Sequence, residues 1–349
     1  MKTIAVVKKE FQSKGGLEKA ALRIIQALQK RGADVTLLAE KVSQAPCPVL
    51  SHPPHSMLKF LRLKEFDTWC KEAAQKFDIV LSMDRCSFQT YHRAGNGVHA
   101  AYLELREGFF KKLSFKINPL HRMILKLEKA TFEDPHLRGI IVNSHLVKNQ
   151  ILHHYSTPAE KIHVIHNGVE WHEMEADFNA TFPHQSSKLE FLFVGHNFER
   201  KGLLPLLQAL HALKRRDFHL SVVGTDKHLE SYKRTCEKLG LKTQVTFFGA
   251  QENIRPFYQK ADALVIPSIY DPFANVTVEA LAMGLFVVSS QTNGGHEVLT
   301  PESGVVGLEN LEKAFDHPKT LESAKAIRNS VKYLDYASQL EKVCNLCLS

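Results

Sequence analysis

No stretch of this 349-residue chain approaches the roughly 18 consecutive apolar residues that a membrane-spanning helix needs. The apolar start at residues 1–7 is also too short for a secretory signal, so the sequence is expected to be cytoplasmic. Cysteine is sparse and unpatterned. Cys47, Cys70, Cys86, Cys236, Cys344 and Cys347 include one C-x-x-C, which has neither a second pair nor a following helix of redox type, so all six read as free thiols. The 19 histidines contain no third ligand at metal spacing beside the pairs His153-His154 or His163 with His166, and no structural zinc is expected. A dinucleotide fingerprint is missing from its proper place after the first strand. Gly95-Asn96-Gly97-Val98-His99-Ala100 copies its first letters, but the sequence reads no strand immediately before it, so it is treated as a decoy.

What the chain does have is a soluble, globular composition, with 44% hydrophobic and 23% charged residues over a length comfortable for two cores. The formal charge of +8 favours acidic partners such as nucleic acid, anionic lipid or phosphorylated substrates. Part of that charge is concentrated: Lys111, Lys112, Lys116, Arg122, Lys126 and Lys129 are interleaved with Phe109, Phe110, Leu113, Phe115 and Ile117. This mixture points to an anionic membrane surface rather than nucleic acid, and the competing account is a core-facing apolar stripe with solvated lysines opposite.

Strand and helix alternate along the first half: strand 3–7, a Gly15-Gly16 loop, helix 17–30, strand 34–38, helix 57–75, strand 78–82, an irregular section 83–113, helix 119–133, strand 139–142, a helix capped by Ser144, and strand 162–165. Residues 166–188 read as a polar hinge around Asn167-Gly168. A second series follows, with strands near 189–194, 219–223, 244–248, 263–266 and 286–289. The fold expected is α/β, two Rossmann-like doubly wound domains facing across a cleft. They would span 1–167 and 168–328, with a C-terminal helix in 329–349 crossing back to the first. Ligands in such sheets bind beyond the carboxyl ends of the strands, which selects the loops after each strand.

Two of these loops carry chemistry. In Gly195-His196-Asn197-Phe198-Glu199-Arg200-Lys201-Gly202, Arg200 and Lys201 stand at a helix entrance, where two cations neutralise a diphosphate leaving group. In Pro267-Ser268-Ile269-Tyr270-Asp271-Pro272-Phe273-Ala274-Asn275-Val276-Thr277-Val278-Glu279, two carboxylates bracket a helix N-terminus near Asn275. A phosphate would sit at the helix dipole and a sugar hydroxyl on a carboxylate, and a nucleotide sugar offers both groups. Gly15-Gly16 could let the backbone approach an anion, and His99 lies beyond a central strand.

Together with His166-Asn167-Gly168-Val169, Val223-Gly224, Phe248-Gly249 and Met283-Gly284, these motifs resemble the retaining glycosyltransferases of family four, which have the GT-B fold. The family's E-x7-E appears here as Asp271 and Glu279, which keeps the charge and shortens the reach. The resemblance implies that Arg200 and Lys201 bind the donor diphosphate and Glu279 the ribose. It implies that Asp271, with Phe273, Ala274 and Asn275, holds the donor sugar and phosphates. Gly15, Gly16, Ile254 and Val276 would complete the donor site, and His99 would touch the transferred sugar. Catalytic roles are then implied for His99, Asp271, Arg200 and Lys201, with no metal and no cofactor beyond the nucleotide diphosphate sugar. The stretch from Tyr102 through Glu133 is most similar to family members of lipopolysaccharide core synthesis. This implies a lipid-linked saccharide acceptor, transfer of glucose from UDP-glucose, membrane binding through Phe109, Phe110, Lys111, Lys112 and Lys116, and a peripheral position on the cytoplasmic face of the inner membrane. A non-catalytic module that binds a nucleotide sugar or nucleic acid in the same fold is the alternative. A phosphorylase of this fold would need a pyridoxal-bearing lysine context that the sequence lacks.

Overall fold

The computed structural model describes residues 1–12, 16–105, 115, 117–180, 187–317 and 320–349. They form two units, Met1–His166 with Ser338–Ser349, and Asn167–Ala337.

In the first unit, apolar runs bounded by polar turns form β1 (Thr3–Val7), β3 (Asp34–Ala39), β6 (Ile79–Ser82) and β8 (Gly139–Val142), and shorter mixed segments form β5 (Val49–Ser51), β7 (Tyr91–Arg93) and β9 (Ile162–Val164), while β2 (Glu10–Phe11) and β4 (Lys41–Val42) make a separate small pair. The main sheet runs β5-β3-β1-β6-β7-β8-β9, all parallel. Val7 pairs with both Leu38 and Ser82, so the carboxyl ends of three strands are level and their loops leave one edge together. Helix Gly16–Lys30 packs its apolar stripe, Ala21, Ile24, Ile25 and Leu28, against one face. Helix Tyr336–Leu348 adds Val343, Cys344 and Cys347 to the same core. Phe66, Cys70 and Ala74 of helix Lys59–Ala74 cover the opposite face.

The second unit repeats the plan with β10 (Leu189–Val194), β11 (Phe218–Val223), β12 (Val245–Gly249), β13 (Ala263–Ile266), β14 (Phe286–Ser289) and β15 (Gly304–Val306), in the order β12-β11-β10-β13-β14-β15. Leu192 pairs with Leu264, and Ile266 with Ser289. The loops after β10, β13 and β14 therefore issue side by side from one edge.

Several sequence expectations are corrected. Residues 166–188 contain the helix Trp171–Asn179, whose Trp171, Met174 and Phe178 are buried at helical spacing. The Arg328 guanidinium lies over both the Trp171 and Phe178 rings, at 4.8 and 4.2 Å from their centroids, and donates to Ala282 O. Strands β5, β7 and β15 were not anticipated, each being only three residues long. Strand β7 directly precedes Gly95-Asn96-Gly97, and helix His99–Glu104 directly follows, so this segment is a genuine strand–turn–helix connection with Gly97 at φ +68°. The second unit runs to Ala337 rather than 328, because helix Leu321–Ser330 packs its Ala324 and Ile327 into that unit's core. No helix among the described residues is long and apolar enough to cross a membrane.

Candidate functional site

The loop after β10 is shaped by two residues in the left-handed region. Asn197 (φ +60°) caps the short helix Phe198–Lys201, its side chain accepting from Arg200 N at 3.1 Å. Gly202 (φ +78°) ends it, and a Cβ there would lie 2.0 Å from Pro267 O, so only glycine lets this loop touch the end of β13. Gly195 serves Lys201 in the same way: a Cβ would stand 2.9 Å from Lys201 Cγ, and its absence lets the lysine stem lie back across the strand end. Lys201 is consequently buried, a position a lysine holds only with a partner.

That partner is Asp271. Its Oδ2 accepts from Lys201 Nζ at 2.7 Å and from Arg200 Nη1 at 3.1 Å, and the same Nη1 donates to Tyr270 O at 3.0 Å. Ile269 N donates to Arg200 O at 2.8 Å, which ties the two loops by main chain as well. Asp271 Oδ1 accepts from Phe273 N at 3.2 Å. One carboxylate thus faces two cations, and the positive excess suits a diphosphate.

The connection from Asp271 to the helix Asn275–Ala282 is held by a residue sequence reasoning missed. Asn293 is fully buried. Its Oδ1 accepts from Ala274 N at 3.0 Å and Gly295 N at 3.1 Å, and its Nδ2 donates to Ser289 Oγ at 2.9 Å. Asp271 and Asn293 also form a parallel bridge, through Asp271 N to Thr292 O and Gly294 N to Asp271 O, both at 2.9 Å. The available signal was Asn293-Gly294-Gly295 just beyond β14, at the productive edge of the sheet. Glu279 is no freely solvated helix position: Tyr258, fully buried, donates its hydroxyl to Glu279 Oε2 at 2.7 Å. Burial together with the Glu279 charge raises the Tyr258 phenol well above its ordinary value, which keeps it a donor. Phe273 and Ala274 are buried, Ile254 and Val276 pack on the same core, and Asn275 is exposed with its Oδ1 accepting from Asn167 Nδ2 at 2.7 Å.

His99 belongs to the first unit and opens the helix His99–Glu104. Glu128, wholly buried in helix Pro119–Phe132, gives that helix its first-turn acceptor: Oε2 takes His99 N at 2.7 Å and Oε1 takes Ala100 N at 3.0 Å. Arg85 Nε and the Tyr155 hydroxyl complete the carboxylate, each at 2.7 Å, and Arg85 Nη2 reaches Gly97 O at 3.1 Å. Burial alone would raise Glu128, but Arg85 and these hydrogen bonds outweigh it and leave the carboxyl below its ordinary range. Burial, then Arg85, pushes His99 down to about 4, so its ring is neutral near pH 7. Its Nε2 lies 2.9 Å from His121 Nδ1. Sequence reasoning missed Glu128, Arg85 and Tyr155, since Glu128 sits among the very lysines that marked its helix as basic. That helix buries Leu127, Glu128, Thr131 and Phe132 and exposes Arg122, Lys126 and Lys129, so part of its apolar content is a core-facing stripe.

The structure therefore gathers Arg200, Lys201, Asp271, Phe273, Ala274, Asn275 and Glu279 on two adjoining loops and one helix of the second unit. Gly16 is the first residue of helix Gly16–Lys30. Gly15, Phe109, Phe110, Lys111, Lys112 and Lys116 lie outside the described residues.

The chain matches the profile described as Glycosyltransferase Family 4 over residues 14–172 and that of Glycosyl transferases group 1 over residues 175–333. It is 24% identical to the lipopolysaccharide glucosyltransferase WaaG of Escherichia coli over 310 residues, 84% of this chain and 81% of that one. It is 30% identical to an uncharacterized glycosyltransferase of Methanocaldococcus jannaschii over 47% of this chain, a match that spans only 45% of that relative's length. Among solved structures, WaaG superposes with a TM-score of 0.79 at 22% identity over 99% of each chain. Anabaena HepE in complex with UDP and glucose does so with a TM-score of 0.75 at 16% identity over 100% of each. With both halves matched in order by glycosyltransferase profiles, the cation pair and carboxylates set on the strand ends, and the fold shared end to end, this chain belongs to the family-four glycosyltransferases of GT-B fold and is similar to WaaG.

Proposed function

We propose that the protein is a retaining, metal-independent hexosyltransferase that moves glucose from UDP-glucose to a lipid-anchored saccharide, the inner core of lipopolysaccharide, while bound peripherally to the cytoplasmic face of the inner membrane. The observation that carries this reading is the single carboxylate of Asp271 shared by Arg200 and Lys201. A diphosphate brings more negative charge and more acceptor oxygens than Asp271 supplies, so it takes over part of both cations and leaves the carboxylate beside the donor sugar. Arg200 and Lys201 then stabilise the leaving diphosphate as the glycosidic bond breaks, the task a divalent ion performs in other enzymes. Glu279, already oriented by Tyr258, accepts from the ribose hydroxyls. His99, neutral, contacts the transferred sugar by hydrogen bonding and not by charge. The leaving phosphate accepts the proton of the acceptor hydroxyl on the same face, which preserves the anomeric configuration. The choice of UDP-glucose is supported by HepE, solved with UDP and glucose, and the acceptor by the name of WaaG.

The test is thermal stabilisation and donor hydrolysis against uridine, guanosine and adenosine diphosphate sugars, with and without EDTA, for the wild type, Arg200→Ala and Glu279→Ala. Selective, EDTA-resistant stabilisation and hydrolysis with UDP-glucose, lost in both variants, is the expected result. Binding without turnover of any donor or acceptor would overturn it in favour of a non-catalytic nucleotide-sugar module. NMR of the product anomer decides retention, and sedimentation with anionic vesicles decides the membrane position.

A further inference from the structure

Helix His99–Glu104 and helix His145–His154 end at the same place in the first unit. Glu104 is the last residue of one, and His153 and His154 are the last two of the other. One ligating atom from each lies within 4.8 Å of the other two, with His154 Nε2 at 3.5 Å from Glu104 Oε2 and the two imidazoles edge to face at 4.8 Å. The sequence offered His153-His154 without a third ligand; the fold supplies one from about fifty positions upstream. Beyond the imidazole–carboxylate contact, no hydrogen bond commits these three side chains elsewhere among the described residues.

We propose that Glu104, His153 and His154 bind a borderline divalent cation of the Zn²⁺ type, with water in the remaining position. Two imidazoles and one carboxylate are the donors such an ion prefers, and a hard ion such as Mg²⁺ is disfavoured by them. Tetrahedral ligands about 2.1 Å from zinc stand about 3.4 Å apart. Side chains now within 4.8 Å of one another reach that spacing by small rotations, which the exposed Glu104 and His153 are free to make. Both helices also present their carbonyl ends here, and the negative ends of their dipoles favour a cation.

The site has a structural consequence independent of the transferase reading. A six-residue helix has little stability of its own. Glu128 already holds its start, and the ion fastens its end to the helix that leads into Tyr155, itself bonded to Glu128. The cation therefore clamps the segment that begins with His99.

The experiment is calorimetric titration of Zn²⁺ into the full chain after chelator treatment, with Mg²⁺ as comparison. Hydrogen exchange of residues 99–105 is followed alongside. Expected is one stoichiometric zinc event, weaker in acid because imidazole ligates unprotonated. It should vanish in His153→Ala/His154→Ala, weaken tenfold or more in Glu104→Gln, and survive in the surface control His172→Ala/His228→Ala. Zinc should slow exchange in 99–105 in the wild type only. Absence of a stoichiometric event, or an event equally strong in the double variant with its circular dichroism unchanged, overturns the proposal. So does loss of the event in the control.

Discussion

Replacing Asp271 by Asn removes the carboxylate that Arg200 and Lys201 share and leaves a buried ammonium beside a guanidinium. Breaking a buried pair from one side costs about 3 kcal/mol or more. The second unit of Asp271→Asn should therefore unfold at lower denaturant, and UDP should stabilise the variant more than the wild type because its phosphates refill the vacated position. Equal stabilisation of both proteins by UDP, in denaturant titrations, would dismiss the idea that phosphate and Asp271 compete. The histidines give a second residue-scale prediction. His99 is depressed to about 4, and His92, buried against Ser82, to about 3 by burial first and Arg85 second. The unfolded chain, with histidines near 6.5, binds more protons than the folded one below that pH, so this contribution is complete above 6.5 and lost as pH falls, down to about 4 for His99 and about 3 for His92. Thermal unfolding of the first unit should drop over that window, and His92→Gln with His99→Gln should flatten the slope. At this scale the charged residues were legible because chemistry restricts which types neutralise a diphosphate. Asn293, Glu128 and Tyr258 were not, because each works as a buried partner and its type alone is as common in surface turns.

At the level of elements, the glycines divide into those forced by space and those forced by torsion alone. Gly202 and Gly240 both have positive φ, but a Cβ at Gly202 meets Pro267 O at 2.0 Å while nothing lies within 4 Å at Gly240. Gly240→Ala should cost only about 1–2 kcal/mol of left-handed strain and leave donor binding intact. Gly202→Ala must push apart the loops that carry Arg200 and Asp271, so its donor affinity should fall tenfold or more, as read by titration with UDP. The long apolar strands and helix Gly16–Lys30 were legible from period alone, nearly to the residue. Strand β7 was not, since Tyr91-His92-Arg93 carries no apolar alternation and is a strand only because β6 and β8 flank it. Helix Trp171–Asn179 escaped because its three buried apolar residues are diluted by acidic ones, and its burial depends on Arg328, far along the chain.

For the whole molecule, the second alternating series announced a second sheet, and a helix left over after that sheet was complete announced the return of the chain to the first unit. That helix carries Val343, Cys344 and Cys347 into the core with Ile24 and Leu28. Burial raises both thiols, Cys347 to about 12, so in the native protein they should react with a thiol reagent only as fast as the first unit opens. Ending the chain at Ala337 should destabilise the first unit and expose Cys70 and Cys86 to the same reagent, as mass spectrometry of labelled peptides would show.

The division of the chain also orders its synthesis. Residues 167–337 are inserted between two parts of one unit. A ribosome adding about 5–20 residues per second spends on the order of 10–30 s on that insertion. Throughout that interval the nascent first unit has its sheet but not the helix that closes one face, so apolar surface around Ile24 and Leu28 stays open to chaperones until residues 338–349 follow the finished second unit.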